Sequence, residues 1–489
     1  MESVSGESLY LFRHALLREA AYELYPPSVR AKLHRLVVEI ATFLFEDSQL
    51  SPLAAELADH ARAAWQGTDD ESLQRIEAGF CNRAASHARA MYQNSDAVSF
   101  LTRIADLPAL TDAERVKPLA DASYAAYLSG DIETTERLAK RADALRPTGI
   151  ELAGLRNTQA AVCYLRSDID EAIRLAEEAR DGFRSTKDER GCARAMNILA
   201  VCYTQTGEYG LARSTYQEAA AIFREIGDRR GEGGCATNLA LLLEQTGERD
   251  ESERLYNQAL EIDRECGDLR GEGIDLVNYG LSLTHSGRAD EASAILEKAL
   301  ELCTQVGDRY FENLARLNLA VAYSRLNQEQ TALQLLAQSV LDARDIGSLH
   351  NEAVSHSSAG PILIELGRLD EAQTELELAL EQFQSTRNTR LQASTWLELA
   401  KLHGIRNDNP EADLALRNSI KLYAVHGDHA TLAEVHGLLA ELLMKDGRLT
   451  DAANEIETAV QLARKLADGG VLAGELQEVA NDIKRAEQA

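Results

Sequence analysis

The sequence predicts an all-α protein, a solenoid of about ten stacked helical hairpins, and three observations predict it. A motif returns at a fixed step: GDRRGEG begins at 227, GDLRGEG at 267 and GDRYFEN at 307, each 40 residues after the last. A small residue keeps the same step at Ala160, Ala200, Ala240, Gly280, Ala320, Gly360, Ala400 and Ala440. A chain of 489 residues is also too long for one compact core, while alanine, leucine and glutamate are abundant and only 8 prolines, 9 phenylalanines and 2 tryptophans occur. That composition suits helices stacked in an array.

Each element of the repeat has a physical reason. Two antiparallel helices approach closely only where side chains are small, so each hairpin needs one small residue per helix. The first helix supplies the column just named. The second supplies Ala172, Ala212, Ser252, Ala292, Ala332, Ala372, Ala412 and Ala452. Larger residues at helical spacing fill the gaps, as Leu239, Leu243 and Tyr256 do in one repeat and Leu199, Tyr203 and Tyr216 in the one before. Between the helices stands a residue able to adopt the left-handed conformation: Gly207, Gly247, Gly287, Gly367 and Gly447, with Asn327 and Asn407 in the same role. Acidic pairs such as Asp290-Glu291 and Asp370-Glu371 open the second helix against its positive dipole end. Asp228, Asp268, Asp308 and Asp428 stand where they would cap the next first helix, followed in three cases by Glu232, Glu272 and Glu312. Pro361 falls inside a first helix, where a kink or a late start is expected.

This repeat resembles the tetratricopeptide repeat, in the 40-residue form of Leu-Gly-Asn-type proteins and kinesin light chains. The closest stretch is GDRRGEGGCATNLALLLEQTGERDESERLYNQALEIDRECGD, and the likeness covers residues 112 to 466. It implies a right-handed superhelix whose first helices line a concave groove. The expected organisation is a distinct helical segment over 1–70, degenerate repeats over 71–148, eight 40-residue repeats over 149–466, and a capping helix over 467–489.

Residues 9–64 do not fit the frame. The text LYLFRHALLREAAYELYPPSVRAKLHRLVVEIATFLF, followed by AELADHARAA, resembles the junction in STAND-class signalling ATPases and kinase-linked regulators where the ATPase module ends and a repeat array begins. The resemblance rests on Phe12, Arg13, His14, Ala15, Arg18, Ala21, Tyr22, Arg30, Leu33 and His34. It implies an ATPase or kinase module in cis or in trans, or a longer protein of which this is the C-terminal part. A bland alternative is an N-terminal helical cap. The chain itself has no GxxxxGK[ST] phosphate loop and no HRD or DFG set, so phosphoryl transfer cannot be assigned to it.

Two groups of residues are candidate ligand contacts. Asn238, Asn278 and Asn318 form a column across three first helices, and amides there can donate to and accept from an extended peptide's backbone whatever its sequence. The competing role is bonding to the adjacent helix, which would only fix the stacking. Ile274, Val277, Leu281, Leu314, Leu317 and Val321 stand beside that column as an apolar seat for a partner's side chains, or as ordinary core.

Composition excludes other classes. A formal net charge of −28 repels a phosphate backbone, so no nucleic acid is expected as partner. The 11 histidines show no HExxH and no His/Cys ligand spacing, and pairs such as Glu177-Glu178 sit on solvated faces, so neither a metal, another cofactor nor a general acid and base is assigned. The seven cysteines form no CxxC pair and read as reduced thiols. No apolar run approaches a membrane span, no membrane partner is expected, and the chain reads as cytoplasmic. The expectation is a non-enzymatic scaffold or sensor module that binds a protein or peptide in the concave groove. The alternative is the regulatory C-terminal half of a STAND ATPase or protein kinase whose catalytic domain lies elsewhere.

Overall fold

The computed structural model describes residues 22–66, 70–91, 93–166, 168–386, 388–426, 429–465 and 470–488. Among them the chain is 86% helical, with 24 helices and no strand. It divides into two compact units, Met1–Ser252 and Glu253–Ala489.

The first unit opens with α1 (Pro27–Leu44), the single turn α2 (Asp47–Leu50) and α3 (Ala54–Gln66). It continues through α4 (Glu71–Ala90), α5 (Asn94–Ala105), α6 (Asp112–Leu128), α7 (Ile132–Ala144), α8 (Gly149–Leu165), α9 (Ile169–Thr186), α10 (Glu189–Gln205), α11 (Tyr209–Glu225) and α12 (Arg229–Gln245). The division falls within α13 (Arg249–Cys266). The second unit holds α14 (Leu269–His285), α15 (Ala289–Val306), α16 (Arg309–Arg325), α17 (Glu329–Asp345), α18 (Leu349–Glu365), α19 (Leu369–Ser385), α20 (Thr389–Ile405), α21 (Asn409–His426), α22 (His429–Lys445), α23 (Leu449–Ala463) and α24 (Gly470–Gln488). Within each unit helices pack in sequence order, a first helix on its own second helix and a second helix on the next first helix. This is an all-α solenoid.

The small-residue columns lie where the helices cross. Ala160, Ala200, Ala240, Ala320 and Ala440 are fully buried, as are Ala172, Ala212, Ala292, Ala332, Ala372 and Ala452 in the second helices. At Gly280 and Gly360 a β-carbon would stand 2.5 Å from Leu296 Cγ and 2.4 Å from Leu376 Cδ2, so these crossings have no room even for alanine. The turns are left-handed as the sequence requires: φ is 79° at Gly207, 83° at Gly247, 55° at Asn327 and 57° at Asn407.

The caps form. Asp228, Asp268 and Asp308 accept from the backbone N–H of Gly231, Gly271 and Phe311 at 3.1, 2.9 and 3.2 Å. Asp428 lies outside the described residues. Asp188, Ser348 and Asn388 do the same for α10, α18 and α20. Glutamates four residues after the caps join one repeat to the next. Glu232 and Glu272 are buried, and they pair across the turn with Arg224 and Arg264 of the preceding helix at 2.8 and 2.7 Å. Glu352 pairs with Arg344 in the same way at 2.7 Å. Arg190 and Arg270 reach the capping Asp228 and Asp308 one repeat on, at 2.9 and 2.7 Å.

Pro361 neither delays nor breaks α18, which runs from Leu349 to Glu365 with the proline inside it. Buried neighbours on both sides, Ala359, Gly360, Ile362 and Leu363, hold the helix in place of the missing hydrogen bond. All seven cysteines are free thiols, and burial pushes Cys81, Cys235 and Cys303 up to about 12.

Candidate functional site

The first helices of the second unit present a narrow, half-buried stripe. Ile274, Asn278 and Leu281 on α14 follow the spacing of one helical face, and Leu314, Asn318 and Val321 repeat it on α16, which packs beside α14. Five of these six are half-buried, and Asn318 is 7% exposed. Neither amide makes a hydrogen bond among the described residues, although each carries two donors and an acceptor. Val277 and Leu317 belong elsewhere. They are 2% and 4% exposed, and Leu317 is part of the continuous core of the second unit, so neither offers surface to a ligand. One residue of offset on a helix turns a side chain by about 100°, which is enough to move this pair from the stripe into the core.

Asn238, on α12 in the first unit, is differently occupied. Its Nδ2 donates to Asn197 Oδ1 on α10 at 3.1 Å, a bond between neighbouring first helices. For this member of the column, the stacking role is the one the geometry carries.

The first unit also contains a cavity of about 290 Å³ that the sequence reading did not single out. Its wall includes Arg89 of α4, Lys117 and Tyr124 of α6, Asn157 of α8, Phe183 of α9 and Arg194 of α10. A signal was available: Arg194 occupies the repeat position that Ile274 and Leu314 hold in later repeats. A charged residue in that register is visible only once the stripe is known to face outward.

In the N-terminal segment, Tyr22 Oη lies 2.6 Å from His34 Nε2, and His34 Nδ1 lies 2.6 Å from His60 Nδ1. The Arg30 guanidinium covers the Tyr22 ring at 5.0 Å. Burial, and then the neighbouring His60, hold the His34 ring below its usual value. Leu33 is exposed, while Phe12, Arg13, His14, Ala15, Arg18 and Ala21 lie outside the described residues. Among the described residues no group of His, Cys, Asp or Glu could hold a metal ion, and no helix is long and apolar enough to cross a membrane.

The family model of the tetratricopeptide repeat matches residues 150–225, 191–265 and 275–340. The chain carries tetratricopeptide repeats. No curated protein matches it. Among solved structures, the apo form of the quorum sensor NprR from B. thuringiensis is similar at 18% identity, over 72% of this chain and 99% of that one, with a TM-score of 0.51. A signal transduction ATPase with numerous domains (STAND) with a tetratricopeptide repeat sensor, from Pyrococcus horikoshii, is similar at 16% identity over 80% of this chain, with a TM-score of 0.49. The match spans 55% of that ATPase's chain. The likeness to NprR is one of fold.

Proposed function

We propose that this chain is a non-enzymatic sensor or scaffold of a signalling regulator, which holds an extended protein or peptide segment along its first-helix face. The observation that carries the reading is the pair of unbonded amides, Asn278 and Asn318, on adjacent first helices. An extended backbone offers alternating N–H and C=O groups, which such a pair can meet without regard to sequence. Ile274, Leu281, Leu314 and Val321 flank the amides with half-buried apolar surface that a ligand's side chains can cover. Most of the arginines along the repeats are spent on structural ion pairs, as at Arg224, Arg264 and Arg344, which leaves recognition to neutral groups there. A sensing role of the kind named for NprR accords with this reading.

Each amide contributes about 1 kcal/mol net, so losing two costs about 2 kcal/mol, roughly thirtyfold in Kd. The test is to select peptides by display against the wild-type chain and titrate them calorimetrically into an Asn278→Ala/Asn318→Ala variant of equal helicity. Asn238→Ala serves as the control, and it is expected to keep the affinity. Equal Kd for the wild type and the double variant would remove the asparagine pair from the site.

A second reading, the regulatory half of a STAND ATPase or kinase, is favoured by one observation. Helix α1 leaves Leu36, Val37, Ile40 and Phe43 exposed, Phe43 at 87%, beside a recess of about 630 Å³ lined by Val38, Ile76 and Phe80. A phosphate-loop or kinase domain encoded in frame or next to this chain, and retained by it unless Phe43 becomes Asp, would decide for that reading. Retention unaffected by Phe43→Asp would remove α1 from the interface.

A further inference from the structure

Helix α1 has two apolar sides, and its own unit uses one of them. Ala31, Val38 and Ala41 are buried, while another side of the helix presents Leu33, Leu36, Val37, Ile40, Phe43 and Leu44. Leu33, Leu36, Val37 and Ile40 are 40–49% exposed, Leu44 is 64% and Phe43 87% exposed. Steps of three and four residues run through the set, so it forms one stripe along the helix. The recess lined by Ile76 and Phe80 of α4 continues this face sideways, with Ile76 exposed as well. Together these side chains expose on the order of 700 Å², above the roughly 300–600 Å² of the largest apolar patch on an ordinary monomer and near the ~800 Å² that each side of a standard interface buries.

The charges along α1 indicate what covers the stripe. A helix by itself is stabilised by acids at its start and bases at its end. In α1 the order is reversed: the first turn has no acid and the last no base, Arg30, Lys32 and Arg35 stand in the first half, Glu39 in the second, and Glu46 and Asp47 follow directly. Arg35 pairs with Glu39 and Asp47 with Arg83, each at 2.8 Å, whereas Lys32 and Glu46 are exposed and have no ion pair among the described residues. A surface that covers the stripe and meets both ends is apolar in the middle, acidic where α1 is basic and basic where α1 is acidic. The same helix turned end for end has that order.

We propose that α1 is a self-association surface, on which two copies of the chain pack their α1 helices antiparallel about a two-fold axis. An axis at the middle of the stripe, between Leu36 and Ile40, sets Leu33 of each copy against Phe43 of the other, Leu36 against Ile40, and brings Lys32 beside Glu46. A parallel pair would set Lys32 against Lys32 and Glu46 against Glu46, so the charges select the antiparallel one. This gives the face a different occupant from the ATPase or kinase module of the second reading, and it is independent of the stripe on α14 and α16. A net charge of −28 on each copy opposes their approach at long range. At 0.15 M salt that repulsion is screened beyond about 8 Å, and the contacts along α1 decide the outcome.

The test is sedimentation equilibrium of the full chain alone at 0.15 M salt, over a range of concentrations reaching about 100 μM, the upper range of weak but specific association. The expected result is a mass that rises with concentration from 53.6 kDa toward twice that value. Phe43→Asp and Ile40→Asp, both at exposed positions and checked for equal helicity, are each expected to weaken the dimer by about tenfold or more. Lys32→Glu and Glu46→Lys alone are expected to weaken it by a few-fold, and the two together in one chain to restore it, because the pair then meets with its signs exchanged. Asn278→Ala/Asn318→Ala is expected to leave the mass unchanged, so failure here and failure of the asparagine stripe are separable. A monomer at every concentration would overturn the proposal and leave the stripe to residues 1–21 of the same chain or to another protein. A dimer indifferent to Phe43→Asp and Ile40→Asp, or a double charge variant no tighter than the single ones, would overturn it as well.

Discussion

The tightest tests of this fold act at single residues, because the same substitution has opposite signs at two glycines. At Gly280, on α14, a β-carbon would meet Leu296 at its branch point, 2.5 Å away, and a branch point inside a helix crossing cannot swing aside. Overpacking there costs about 1–3 kcal/mol and offsets the roughly 1 kcal/mol by which alanine outranks glycine in a helix. Gly234, on α12, is exposed and has nothing within 4 Å of its would-be β-carbon. Gly280→Ala is therefore expected to lower the urea midpoint, and Gly234→Ala to raise it by the equivalent of about 0.5–1 kcal/mol. A stabilised Gly280→Ala would mean that the crossing relaxes. The column containing Gly280 was legible because one small residue recurs at one step. Why glycine rather than alanine stands there was not, since that depends on where Leu296 places its branches. The repeat positions of Asn278 and Asn318 were legible for the same reason, but whether Val277 and Leu317 face a groove or the core was left open, because recurrence gives a position in the repeat without giving its angle around the helix.

At the scale of the helix, what joins one repeat to the next is partly ionic. Burial alone would raise the Glu272 carboxyl, but the hydrogen bonds of Lys298 and Arg264, at 2.8 and 2.7 Å, outweigh it and hold the group below its ordinary value. A carboxyl depressed in the folded state stabilises the fold above its unfolded value, about 4.3, and loses that contribution as pH falls through the lower folded value. Glu272→Gln should then cost about 1–2 kcal/mol near neutrality, a modest figure because both cations are about half exposed. The gap between the two thermal midpoints should close as pH drops below about 4. A gap unchanged across that range would show that the glutamine acts through packing instead of charge. The sequence showed Glu232, Glu272 and Glu312 after three of the four caps. It could not show that arginines eight residues before the first two fold back across the turn to meet them, because that meeting needs the angle between two helices.

At the scale of the whole molecule, contacts within each unit join helices to their sequence neighbours, and stability accumulates locally instead of from one centre. An array of this kind need not unfold in one step. The chain carries its own reporters, since its two tryptophans fall one in each unit: Trp65 on α3 and Trp396 on α20, the latter packed on the core of the second unit. Single-tryptophan variants, Trp65→Phe and Trp396→Phe, therefore isolate one unit's unfolding from the other's. Gly360 lies in the second unit, where a β-carbon would press on Leu376 of that same core. Gly360→Ala is expected to lower the urea midpoint seen by Trp396 and to leave the midpoint seen by Trp65 in place. Each transition should also have an m-value near that of a small domain, roughly 1–3 kcal/mol/M, far below what 489 residues lost at once would give. Should both tryptophans report one shared midpoint that moves as a whole with Gly360→Ala, the chain would be a single cooperative unit, and a signal from a bound ligand could not be confined to the repeats that hold it.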